Sequence, residues 1–431
     1  MYRLKSHLHR LLRWSERYTK TDMVYLTRGG FWLLTSQITA TVASLGLAVA
    51  FAHLFPREAY GTYKYLLIIL GILTLACLRG FDTLLIQASA RGNDGTILSA
   101  LYTKMRWGIL GSIGSIGLGA YYYMHANQTI ALALFIAALF IPFMDPLGIY
   151  SSILNGKKDF KLLSLLDSAG QLFAAGVLGI ALLFSKSSIT IFFLYCLSWT
   201  IVRFISLRVA LSKYPPNEKI EPHWRSYGMH SSLIGSMAVA LASIDGFAIF
   251  HYLGASQLAV YSFAMAPVLQ LRGLSGVLTT LATPKFATQE GSSIHSPLIR
   301  RSLLLFLLGL GIAAVYASAA PLLFSVLFPQ YTDSVAFSQI FSITIALSLG
   351  ASLLSGVLNS RMTLIPKKML YLWNIPSIVL GFGSILLIQL IGIWGAITAQ
   401  ILSSLASAII GWFLWLRVRH RVFAATPVHS A

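Results

Sequence analysis

Ionisable side chains stand inside long apolar runs at Arg79, Asp82, Asp145, Asp167, Asp245 and Arg272. Each costs about 2.5–3.5 kcal/mol at the centre of a membrane helix on insertion scales, so such residues face a protein interior or an aqueous path rather than lipid. Arg79 and Arg272 each occur within Leu-Arg-Gly, at Leu78-Arg79-Gly80 and Leu271-Arg272-Gly273. A guanidinium is planar, offers several donors to phosphate oxygens and stays charged when partly desolvated. These two are therefore the candidate substrate-binding residues, for a diphosphate above all. Asp82 lies three residues from Arg79, close enough for the two to neutralise each other on one helix. Asp145 and Asp167 stand near the ends of their runs, where snorkelling or capping also accounts for them. Asp245 has no partner nearby in sequence. A lone carboxylate in a span marks a proton or cation path, or pairs with a neighbouring helix. Asp245, Asp82, Asp145 and Asp167 are thus candidates for ion coupling or helix pairing.

No catalytic set accompanies these charges. The histidines are scattered without metal-ligand spacing inside a span, and no metal residues are expected. Gly108, Gly111, Gly114, Gly117 and Gly119 imitate a phosphate loop in composition. Such a loop needs a preceding strand and a helix N-terminus after it; inside an apolar span, small residues serve close helix packing. No Walker sequence occurs. Cys77 and Cys196 both lie in apolar stretches and read as packing residues rather than a disulfide.

The elements that must carry these residues follow from hydropathy. Of 431 residues, 56 % are apolar and 10 % charged, whereas a soluble domain carries roughly 25 % charged residues. A water-soluble enzyme and a soluble nucleic-acid binder are excluded, despite a formal charge of +19. Apolar runs near 31–54, 63–87, 107–124, 129–152, 161–184, 188–210, 227–252, 256–282, 302–327, 332–357, 367–390 and 392–416 are each long enough to span a bilayer. Arg57, Lys64 and Lys186 are the only basic residues in the odd-to-even connections; the N-terminal arm, the even-to-odd connections and the tail hold nearly all the rest. Under the positive-inside rule both termini are cytoplasmic, which requires an even number of spans.

The chain also repeats itself. Ser151-Ser152-Ile153-Leu154-Asn155-Gly156-Lys157 returns 204 positions later as Ser355-Gly356-Val357-Leu358-Asn359-Ser360-Arg361. Phe51-Ala52-His53-Leu54 and Tyr60-Gly61-Thr62-Tyr63 return, at offsets of 199 and 198, as Phe250-His251-Tyr252-Leu253 and Leu258-Ala259-Val260-Tyr261. The expected fold is an all-α polytopic membrane protein of twelve transmembrane helices. These form two six-helix bundles related by a pseudo-twofold axis along the membrane normal, a transporter architecture with the site between the halves. The expected organisation is a basic amphipathic cytoplasmic arm over 1–30, a bundle over 31–212, a cytoplasmic linker over 213–226, a second bundle over 227–416 and a basic tail over 417–431. Leu4, Leu8, Leu11 and Leu12 recur at helical spacing in the arm, which suits either a helix lying in the inner-leaflet interface or a solvated arm that fixes topology.

Several of these segments resemble the Wzx-type oligosaccharide flippases, the polysaccharide biosynthesis protein family of the multidrug/oligosaccharidyl-lipid/polysaccharide exporter superfamily. Ala52-His53-Leu54-Phe55-Pro56-Arg57-Glu58-Ala59-Tyr60-Gly61-Thr62-Tyr63 resembles the exit of their first helix, with its Tyr-Gly-x-Tyr element. Arg79-Gly80-Phe81-Asp82-Thr83 with Ala90-Arg91-Gly92 resembles the close of the second, and Asp245-Gly246-Phe247 with Leu253-Gly254 through Tyr261-Ser262 the matching region of the second half. The resemblance implies alternating access, in which a polyprenyl-pyrophosphate-linked oligosaccharide crosses from the cytoplasmic to the outer leaflet for O-antigen, capsule or exopolysaccharide synthesis. It implies a multi-pass protein of a bacterial or archaeal plasma membrane, no bound cofactor, and coupling to a H+ or Na+ gradient. Its implied partners are the lipid-linked oligosaccharide, membrane lipids, and a polysaccharide polymerase and export machinery, with no nucleic acid. The family's cavities are often strongly cationic, whereas the spans here hold at least as many acids as bases. The competing expectation is an ion-coupled multidrug or cation exporter of the related family, which a carboxylate-lined pocket would suit.

Overall fold

The structure, a computed structural model, describes residues 23–288, 295–360 and 367–424. Most of the basic arm, residues 1–22, and the end of the tail, 425–431, lie outside them. Every regular element among the described residues is helical. Eight of the helical segments are long and apolar enough to cross a membrane on length and composition alone. Each of the twelve apolar runs falls on one helix, or on helices joined by a short interruption.

The chain forms two compact units, Met1–Ala240 and Leu241–Ala431. In the first, α1 (Met23–Leu54), α2 (Arg57–Leu73), α3 (Phe81–Ala90), α4 (Gly95–Met124), α5 (Gln128–Met144), α6 (Tyr150–Gly156), α7 (Phe160–Phe184) and α8 (Ser188–Lys213) follow one another, and α9 (Trp224–Leu253) begins. The second completes α9 and adds α10 (Ala255–Thr288), α11 (His295–Leu327), α12 (Val335–Phe341), α13 (Ile343–Ser360), α14 (Lys367–Ile391) and α15 (Ile393–Ala424). Within each unit the neighbour relations correspond. Helix α4 packs on α5 as α11 packs on α13; α5 meets α8 as α13 meets α15; α7 lies on α8 as α14 lies on α15.

Local signals account for the ends. Asn127, Asp159 and Ser187 cap α5, α7 and α8 by accepting hydrogen bonds from the backbone of Ile130, Leu162 and Thr190, as short polar side chains do at N-termini. Gly254, at φ +90°, makes the turn between α9 and α10, where a side chain would be strained. The glycines of α4 serve packing. A Cβ on Gly108 would lie 2.9 Å from Pro142 Cα, and one on Gly111 would lie 2.7 Å from the Leu73 carbonyl oxygen. Between helices in lipid, such van der Waals fit replaces the expulsion of water as the source of cohesion. Outward positions are apolar instead: Leu390 is 78 % and Leu322 69 % exposed, a surface suited to acyl chains. Both cysteines are free and buried.

The segment over 213–226 is fastened rather than loose. Glu221 accepts hydrogen bonds from Arg91 and, at 2.6 Å, from the Asn93 amide. The Glu221 N–H donates to Thr96 Oγ1 at 2.7 Å, and the Gly95 N–H donates to the Lys219 carbonyl at 2.9 Å. Trp224 then packs edge-on against Phe81 within a buried cluster that includes Leu85, Ile97 and Ile153. The Asn93 amide, and after it Arg91, holds the Glu221 carboxyl below the usual carboxylate range, against the opposing effect of burial. A depressed folded pKa contributes stability above the unfolded value of about 4.3 and loses it as pH falls through the folded value. Hydrogen exchange at Gly95–Ile97 is therefore expected to accelerate in Glu221→Gln at neutral pH, and to converge with the unmutated protein under acid. Unchanged protection at neutral pH would show that the carboxylate contributes nothing to this junction.

Candidate functional site

Sequence places Arg79 on the second apolar run, and the structure shows how that run is broken to present it. Helix α2 passes into a 3-10 turn, Thr74–Cys77, and Leu78 then takes a left-handed conformation at φ 57°. That conformation costs roughly 1–2 kcal/mol for a residue with a Cβ. It turns the chain so that Arg79 lies between α2 and α3. The fourth run is interrupted at the same place. Pro142 lies inside α5, and Asp145 ends that helix ahead of the 3-10 turn Pro146–Ile149. Pro142 has no N–H for the Ala138 carbonyl, which accepts instead from Ser112 Oγ at 2.7 Å. The Met144 carbonyl accepts from Arg203 at 2.5 Å, while the same guanidinium lies over the Trp199 ring.

These two interruptions bring four charges together. Arg79 Nε donates to Asp145 Oδ1 at 3.1 Å, and Arg79 also donates to Thr74 Oγ1 at 2.9 Å. Lys104, on α4 and fully buried, donates to Asp82 Oδ1 at 2.5 Å and stands 3.5 Å from Asp145 Oδ2. Arg79 and Asp82 do not neutralise each other along their helix; each pairs across to another element. The cluster is balanced, with two cations and two carboxylates. It is graded in exposure, since the Arg79 and Asp82 side chains are 43 % and 42 % exposed and Asp145 only 11 %. Lys104 was not among the sequence candidates. Asp167 lies apart from this group and accepts from Tyr150 Oη at 2.7 Å, a link from α7 to α6.

The second unit places its charges differently. Asp245 on α9 is 4 % exposed. Its carboxylate accepts from Ser384 Oγ on α14 at 2.7 Å, from Gln400 Nε2 on α15 at 2.6 Å and from Tyr261 Oη on α10 at 3.3 Å. The donors are all neutral. Arg272, half-buried on α10, has its guanidinium 5.8 Å from the centre of the Phe341 ring. Phe341 ends α12, where the tenth apolar run is interrupted before α13. Each arginine therefore lies against the break in the fourth helix of its own half. The first half supplies an aspartate there and the second an aromatic ring. No acidic side chain pairs with Arg272 among the described residues. No group of three or more His, Cys, Asp or Glu suited to a metal occurs among the described residues either.

Comparison with solved structures shows the same fold throughout. A multidrug resistance MATE family transporter of the MOP superfamily, in an outward-facing conformation, superposes with a TM-score of 0.61 at 14 % identity, over 92 % of this chain and 97 % of that one. A MOP superfamily transporter from Pyrococcus furiosus, described by the reverse polarity of its binding pocket, gives 0.61 at 13 % identity, over 93 % and 96 %. The lipid II flippase MurJ, inward closed, gives 0.59 at 16 % identity, over 92 % and 89 %. No curated protein sequence matches the chain. The family model for polysaccharide biosynthesis proteins matches residues 26–289. With that match over more than half its length, and with the all-helical multi-pass fold of the MOP superfamily, the chain belongs to the polysaccharide biosynthesis protein family.

Proposed function

We propose that this protein is a flippase that moves a polyprenyl-pyrophosphate-linked oligosaccharide from the cytoplasmic to the outer leaflet by alternating access, for surface polysaccharide synthesis. The observation that carries the reading is Arg272, a half-buried guanidinium in an apolar helix with no acidic partner among the described residues. A membrane protein keeps an unbalanced cation at such a place when an anion visits it. Arg79 serves the same cargo more weakly, because Asp145 already engages it. A cationic drug finds no comparable welcome: Asp82 and Asp145 are ion-paired, and the oxygens of Asp245 accept from Ser384, Gln400 and Tyr261. Family membership and the transporter fold support a membrane carrier in polysaccharide synthesis.

In this reading both termini face the cytoplasm, the two bundles alternate in exposing the site, and the linker 213–226 lies on the cytoplasmic side. Asp245 is the coupling residue. An enclosed carboxylate ringed by hydroxyl and amide groups can take up a proton, or hold Na+ by its oxygen atoms. The polymerase and export machinery receive the product. Deleting the gene in its own host and analysing the lipid-linked intermediates tests the proposal. A complete lipid-linked unit is expected to accumulate on the cytoplasmic side while surface glycan disappears. Normal surface glycan together with new sensitivity to cationic drugs would replace the proposal with a multidrug or cation exporter.

A further inference from the structure

Helices α11, α13 and α15 of the second unit enclose a cavity of about 300 Å³, lined among others by Ile299, Ser302 and Phe306, by Leu347 and Gly350, and by Trp412. Its floor is where α11 and α13 come together: a Cβ on Gly309 would lie 2.6 Å from Ala346 Cα. The walls are apolar except at Ser302. That residue is 3 % exposed, and its hydroxyl has no hydrogen-bond partner among the described residues. A helical serine ordinarily donates back to a carbonyl in the preceding turn, as Ser318 and Ser325 do on this same helix. A buried water needs two to four polar partners, and this cavity offers one. The chemistry calls for an apolar chain that carries an acceptor oxygen at the depth of Ser302.

The charge around the opening narrows the occupant. Arg300 and Arg301, both exposed, stand on the same turn of α11 as Ile299 and Ser302. The positive-inside distribution assigns this end of α11 to the cytoplasmic leaflet. Basic residues at that level attract anionic lipid headgroups, by about 1 kcal/mol each, and their long stems allow them to reach the phosphate layer. A glycerophospholipid supplies all three features in order: a phosphate, a carboxyl ester just below it, and an acyl chain. A polyprenyl phosphate has no ester between its phosphate and its chain, and so leaves Ser302 unsatisfied.

We infer that the cavity between α11, α13 and α15 is a binding site for one acyl chain of an anionic glycerophospholipid from the cytoplasmic leaflet. Its ester carbonyl accepts from Ser302, and its phosphate lies against Arg300 and Arg301. The site is separate from the arginine–aspartate cluster of the first unit, and the inference does not depend on the cargo proposed above.

Native mass spectrometry of the full chain, exchanged from mixed micelles of phosphatidylglycerol and phosphatidylcholine in equal amounts, tests it. One phosphatidylglycerol is expected to be retained in about ten- to thirtyfold preference over phosphatidylcholine, the ratio that two favourable arginines give. Arg300→Gln with Arg301→Gln should bring the two lipids near parity. Ser302→Ala should weaken both. Ala408→Leu or Ala351→Leu, each filling the cavity from a different helix, should abolish retention while the thermal midpoint stays near that of the unmutated protein. Millimolar inorganic phosphate should displace nothing, since the chain carries the binding. Equal retention of both lipids by the unmutated protein, unchanged retention in the two filled variants, or displacement by an equimolar polyprenyl phosphate would each overturn the assignment.

Discussion

Replacing Lys104 by methionine is expected to destabilise the first unit by about 3–5 kcal/mol, the usual cost of removing one member of a buried ion pair. The ammonium is fully buried and serves Asp82 and Asp145 together. Without it, Asp82 retains solvent, but Asp145 is left with Arg79 alone and with Oδ2 lacking any hydrogen bond. The penalty therefore concentrates on Asp145. Lys104→Met combined with Asp145→Asn should recover part of the loss, because the second change removes the uncompensated charge. Thermal unfolding of both variants in detergent, followed by tryptophan fluorescence, is the measurement. If Lys104→Met unfolds at the temperature of the unmutated protein, the cluster has no structural role. If only Lys104→Met loses stability and the double variant gains nothing back, the lysine acts through packing rather than charge.

Lys104 also shows where sequence reading stopped. The apolar run was taken to begin at 107, so Lys104 counted as one more basic residue of a cytoplasmic connection. Helix α4 in fact begins at Gly95, and its buried face runs through Ile97, Ala100, Leu101, Lys104, Gly108, Gly111, Ser112 and Ser115. Lys104 stands at the three- and four-residue spacing that this face prescribes; extending the helical phase back from the glycines would have found it. The glycines themselves were legible as packing residues, and so was the multi-pass helical class, because both follow from composition and period. The partners of Asp245 left no local trace, since Ser384 and Gln400 are 139 and 155 residues away. The pairing of Arg79 was masked by a nearer and plausible partner, Asp82. Choosing between partners took the break at Leu78 and the proline-interrupted α5, and neither is a pattern in residue type alone. The linker read as a tether because it is polar and carries Pro215-Pro216, but polarity is also what allows Asn217 and Glu221 to bond to the 92–96 turn.

The two arginines, equivalent as Leu-Arg-Gly motifs, are expected to differ in function. Arg79 is held by Asp145 and Thr74, so an arriving diphosphate must compete with a carboxylate already in place. Arg272 faces the Phe341 ring, which offers the guanidinium a π surface but no hydrogen-bond acceptor and no countercharge. Its donors are thus available to phosphate oxygens, and a charge-assisted hydrogen bond contributes about 1.5–3 kcal/mol. Arg272→Ala should therefore weaken binding of a polyprenyl diphosphate by about ten- to hundredfold, with export falling in parallel while the protein still accumulates and inserts. Arg272→Lys should recover only part, because an ammonium cannot match two phosphate oxygens with a planar fork. Arg79→Ala should reduce export less and stability more, because it also strips Asp145 of its nearer cation. Quantified surface glycan, measured beside protein level and thermal midpoint for each variant, separates the two effects. Should Arg272→Ala export normally while Arg79→Ala does not, the balanced cluster of the first unit is the binding element and Arg272 serves only to pack against Phe341.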